Sequence, residues 1–206
     1  MADGVAHGVL GDPPGRGSVS LTDLAVRLGL YTWVESWLFS ILGGWVEAVP
    51  ELDVKMLLGV QCHHHAWHAD IWERETPQLG GAEPVVDTNP NAQLVAFFDL
   101  LSSPIGRNLS IEKLVGIFRV LMPRKVAAYS NHLENTSKVA DAPTIRSLRL
   151  VLRDEIDDWR EGELVLQTLL DTPRAVERAA DHHRRLEEAL VAAGGLAPPL
   201  EQLSHL

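Results

Sequence analysis

Apolar residues recur three and four positions apart along most of the chain, the spacing that puts side chains on one face of an α-helix. Leu24, Leu28, Tyr31, Glu35, Leu38, Leu42, Trp45 and Val49 form the first such stripe, with Ser20 or Thr22 as its cap and Pro50 at its close. A second stripe, Leu57, Leu58, Gln61, His64, His65, His68, Ile71 and Trp72, predicts a helix that ends before Pro77 and Gly80-Gly81. Residues 77–90 are rich in Gly and Pro and lead into a shorter helix over about 90–101, so the two together predict a long crossover. Ser110 reads as the cap of a third long helix with Val115, Phe118, Met122, Val126, Tyr129 and Leu133 on its apolar side. Pro123 lies inside it and predicts a kink or a division. A fourth helix starts near Pro143-Thr144 and buries Leu148, Val151, Leu152, Glu155, Asp158, Trp159 and Leu166. After Thr172-Pro173 a fifth, largely solvated helix runs to about Ala193. No strand-like alternation and no repeat compete with this pattern. The reading is an all-α bundle with long helices over 22–49, 51–76, 110–138 and 144–170. The domain spans 21–193, between tails at 1–20 and 194–206.

Polar residues interrupt these stripes at mid-helix. Glu35 sits in the middle of the first, Gln61, His64, His65 and His68 in the second, and Glu155 and Asp158 in the fourth. A buried polar group is costly unless it binds a partner, a metal or a ligand. Titratable groups gathered in a core also mark functional sites more often than chance. The plain alternative is a hydrogen-bonded network, with Glu155 and Asp158 paired to Arg124 or Lys125. Tyr129 reads as core with its hydroxyl satisfied at the edge. His63 falls off the histidine face, Cys62 lies on another face and is a poor nucleophile candidate, and His182-His183 reads as a solvated run.

Composition narrows the class. Hydrophobic residues make up 46% and charged residues 22% of the 206, ordinary for a globular domain. With 18 Lys+Arg against 28 Asp+Glu, the net charge of −10 argues against a nucleic-acid partner. No apolar run reaches the roughly 18 residues of a membrane span. Residues 1–20 lack a cationic start and an apolar run, so they read as a mobile tail rather than a secretory signal. The single cysteine excludes an internal disulfide, and a reducing cytoplasm is the expected compartment.

Four long helices, a crossover after the second and inward Glu and His residues resemble the ferritin-like di-metal carboxylate bundles. These place a Glu on two helices and a Glu-x-x-His on the other two. Asp141-Ala142-Pro143-Thr144, followed by Asp154-Glu155 and Gly162, is similar to their last core helix, and the resemblance spans about residues 20–170. It implies Glu35, His64 and Glu155 as metal ligands. Gln61 stands where the family has a glutamate, Asp158 where it has a histidine, and the third helix offers Arg124 and Lys125 where it has an acid. These departures imply at most one, weakly held iron ion, or none. Gln61, His65, His68 and Asp158 are then the candidate catalytic groups. The expected activity is an iron-dependent oxidase or oxygenase acting on a small organic molecule. The alternatives are a metal-free bundle using the same cluster for substrate binding or acid–base chemistry, and a non-catalytic binding protein. A small molecule is the expected partner, with no nucleic acid or membrane, and a homodimer is compatible with the reading.

Overall fold

The computed structural model describes residues 21–76, 90–139 and 141–197, and these are helical almost throughout, with no strand among them. In order they are α1 (Leu21–Ala48), α2 (Leu52–Glu75), α3 (Ala92–Ser102), α4 (Ser110–Val115), a π-helical turn (Gly116–Leu121), α5 (Met122–Asn135), α6 (Ala142–Leu169) and α7 (Pro173–Ala192). The long helices thus begin and end within a few residues of the expected positions. The expected tail at 1–20, the connection at 77–89 and the end at 198–206 lie outside the described residues. No helix among the described residues is long and apolar enough to cross a membrane.

Pro123 acts on the helix in a way the stripe did not foretell. Proline has no N–H, and its ring clashes with the carbonyl four residues back in an α-helix. Here the turn before it widens, and the Met122 N–H reaches the Ile117 carbonyl five residues back. Backbone angles are helical at both junctions, at Val115 and Gly116 and at Leu121 and Met122, so α4, the π turn and α5 run on without a break. One extra residue per turn advances the following face by about a third of a revolution. The buried positions of α5 are therefore Met122, Lys125, Tyr129 and His132, while Val126 and Leu133, expected inside, are half-buried.

Two apolar clusters fill the interior. One gathers Leu24, Leu28, Tyr31, Trp72, Tyr129, Leu148 and Val151. The other is larger and includes Val34, Leu38, Leu58, Phe118 and Leu166, with α3 and α7 covering it. On each long helix the residues between the two clusters are polar: Glu35 on α1, Gln61, His65 and His68 on α2, Lys125 on α5, Glu155 and Asp158 on α6, all buried. The bundle is therefore two oily blocks separated by one polar layer.

Helix ends follow ordinary chemistry. Asn91 accepts the Leu94 N–H at 2.7 Å to cap α3, and Thr172 accepts the Ala175 N–H at 3.1 Å to cap α7. Ser110 does not cap: its hydroxyl donates to Glu51 Oε2 at 2.7 Å and ties α4 to the start of α2. His182 is buried rather than solvated, because it shares the inward stripe of α7 with Ala175, Ala179, Leu186 and Leu190.

Candidate functional site

Lys125 is the hub of the polar layer. Its Nζ donates to Glu35 Oε2 at 2.9 Å and lies 2.7 Å from Glu155 Oε1, joining α5 to α1 and α6. His65 Nδ1 stands 2.7 Å from Glu35 Oε2, and Tyr129 donates its hydroxyl to Glu35 Oε1 at 2.5 Å. His68 faces carboxylates with both ring nitrogens, Glu155 Oε1 at 2.9 Å from Nδ1 and Asp154 Oδ2 at 3.3 Å from Nε2. Asp154 is 27% exposed, so this pair connects the layer to the surface. A second branch lies beside it: Gln61 donates through Nε2 to the Asp158 carbonyl at 2.9 Å, and His64 Nδ1 meets the Asp158 carboxylate at 2.9 Å.

The proton positions follow from these partners. Burial works against charge on Glu35 and Glu155, but Lys125 and the histidine hydrogen bonds overcome it and hold both below the usual carboxylate range. Burial likewise opposes charge on Lys125, and Glu155 and Glu35 more than compensate, raising it. The same balance raises His68, whose two carboxylate partners each require a donor. Burial, then Glu35 and Glu155, push the Tyr129 hydroxyl far above its ordinary value, so it stays a donor. Burial lifts Asp158 against the pull of His64. The Lys125 ammonium between the two carboxylates brings the centre of the layer towards balance, and the raised His68 moves it further that way. Three polar atoms in it have no hydrogen-bond partner: Gln61 Oε1, His65 Nε2 and Glu155 Oε2.

Of the residues singled out by sequence, Glu35, Gln61, His65, His68, Glu155 and Asp158 meet in this layer. His64 does not reach Glu35 or Glu155. One position along a helix turns a side chain by about 100°, so His65 takes the place inferred for His64. His64 stays at the edge on Asp158 with its side chain 30% exposed. Arg124 points outward to Glu187 at 2.8 Å, so of these two cations it is Lys125 that meets Glu155. Tyr129 serves the site as well as the core. A neighbouring polar group was missed altogether: His132 Nδ1 lies 3.2 Å from the Tyr31 hydroxyl. Its position, seven residues after Lys125 and three after Tyr129, was the available signal.

Glu35, His65, His68 and Glu155 each present a ligand atom within 4.8 Å of the others, and such a group could hold a metal ion. Two carboxylates and two imidazoles suit Fe(II), Mn(II) or Zn(II). The buried cluster is thus compatible with a di-metal helical bundle in residue types, but the Lys125 ammonium already takes the place of the cation. At an effective dielectric near 20, a divalent ion about 4 Å from an ammonium is repelled by roughly 8 kcal/mol. Removing the proton from an ordinary lysine at pH 7 costs about 5 kcal/mol, and Lys125 is raised above that. With Lys125 charged and in place, its ammonium opposes an ion at this group. Comparison with protein-family models, with curated proteins and with solved structures finds no match for the chain.

Proposed function

We propose that this chain is a ferritin-like bundle, with its crossover after the second helix, in which an internal lysine has replaced the metal. In this reading the layer is a metal-free site for a small organic molecule, serving binding or acid–base chemistry. The observation that carries it is the Lys125 ammonium held at 2.9 and 2.7 Å by the two carboxylates that would otherwise ligate the ion. A cation supplied by the chain removes the need for a cation from solution. The unpartnered oxygens of Gln61 and Glu155 are acceptors and call for a hydrogen-bond donor on the ligand, with His65 Nε2 a further polar contact. His68, joined to Asp154, is the group placed to give and recover a proton.

A second reading, the iron-dependent oxidase or oxygenase, draws support from the four ligand atoms within 4.8 Å. Its ligands would be Glu35, His65, His68 and Glu155, and the ion would supply oxygen chemistry only once Lys125 had given up its proton. Metal analysis of protein purified without chelator, followed by Fe(II) titration at pH 7, separates the two. The metal-free reading expects no stoichiometric iron in the wild type and measurable Fe(II) binding in Lys125→Glu, which removes the ammonium and adds an acid. One or more tightly held irons per wild-type chain would overturn it.

A further inference from the structure

A separate feature lies outside the polar layer, where α5 and α6 part to leave an open groove of about 940 Å³. Phe118, Val126, Ile156, Trp159 and Leu164 form its apolar wall. Gly162 shapes it: a Cβ there would come within 2.1 Å of the Phe118 ring, so only glycine lets that ring sit against α6. Leu164 is 65% exposed and continues the apolar wall of Val126, Ile156 and Trp159 outward.

Charge is placed at one end. Arg119 is neutralised by Glu163, which it grips through two hydrogen bonds at 3.1 and 2.7 Å. Arg160 has only a loose contact with Asp157 at 3.3 Å. Ile156 and Arg160 also line an adjoining depression of about 470 Å³, which adds Arg149 and Arg153 and a single acid, Asp157. A chain whose net charge is −10 therefore gathers three guanidinium groups in the depression beside an apolar groove, with Arg160 lining both.

We propose that this groove binds an amphipathic organic carboxylate, its apolar body along Trp159, Val126 and Leu164 and its head at Arg160 and Arg153. The volume falls within the range of small-molecule sites, which combine apolar walls with a few placed polar groups. A guanidinium matches a carboxylate with two parallel hydrogen bonds. A cation would be repelled at the mouth, and a neutral molecule would leave the arginines without a role. The groove does not depend on the polar layer being metal-free.

Calorimetric titration of the full chain tests this with 2-naphthoate and decanoate, each compared with its alcohol, 2-naphthalenemethanol and decanol, below the concentration at which decanoate self-associates. The expected result is saturable one-to-one binding of at least one acid, about tenfold tighter than its alcohol, the worth of one charge-assisted contact at a partly exposed site. Which acid binds separates an aromatic from an aliphatic body. The double variant Arg153→Gln/Arg160→Gln should weaken the acid about tenfold and leave the alcohol within twofold. Both positions are exposed, so the fold is not at stake. Absence of saturable binding by either acid, equal affinity for acid and alcohol, or an unchanged acid affinity in the double variant would each overturn the proposal.

Discussion

Lys125 holds two buried carboxylates at once. Its side chain is 1% exposed and its two carboxylate partners are fully buried, so removing it strands two negative charges. Breaking a buried ion pair by deleting one partner costs about 3–5 kcal/mol. Lys125→Met, which keeps the volume and loses the charge, should therefore lower the urea-unfolding free energy by that amount at pH 7. A loss below about 1 kcal/mol would show that Glu35 and Glu155 do not rely on this ammonium. The sequence made part of this visible. Gln61, His65, His68, Glu35 and Glu155 stand at helical spacing on apolar stripes, and a buried charge on a stripe must find a partner. The choice between His64 and His65 was not visible, because both lie on the broad inward arc of α2 and only packing against α1 selects one.

At the scale of the element, the register shift before Pro123 decides what α5 points inward. Helix boundaries were legible because prolines, glycines and capping residues mark them locally. The π turn was not, since it depends on how one proline is accommodated inside a packed rod. Without it the stripe would have put Val126 and Leu133 inside and left Lys125 and His132 nearer the surface. The same turn holds Phe118, whose ring rests against Gly162 of α6. Adding a methyl group at 162 overpacks that contact, at a cost of about 1–3 kcal/mol, while alanine gains about 1 kcal/mol over glycine in a helix interior. Gly162→Ala should thus destabilise by up to about 2 kcal/mol. In a Phe118→Leu background the same substitution should become neutral or stabilising. A double-mutant cycle from urea melts measures this, and simple additivity would rule out the Phe118 contact as the cause.

For the whole molecule, the buried titrating groups set how stability responds to pH, and they do not all act in one direction. Burial, with Arg27 adding to it, pushes His132 down to about 3, whereas an unfolded histidine titrates near 6.5. Between these values the unfolded chain takes up a proton that the folded one refuses, so stability falls as pH drops, by about 1.4 kcal/mol per unit. His182, lowered by burial and by Arg185, adds to this trend. His68 is raised, so its contribution is present below about 6.5 and is lost as pH rises through its folded value. Glu35 and Glu155, both lowered, contribute above about 4.3 and lose that contribution as pH falls below it. Below pH 6.5 His68 carries its proton in both states and adds no slope, so the two lowered histidines make neutral conditions more stabilising than acidic ones before the carboxylates are reached. The test is the unfolding free energy at pH 7, 6 and 5 for wild type and His132→Gln, which keeps a polar partner for Tyr31 without a titrating ring. The wild type should lose stability across this range, and the variant should lose less by about 2 kcal/mol between pH 7 and pH 5. Equal slopes would mean that His132 takes up its proton in the folded state, and that the Tyr31–His132 pair is open to water.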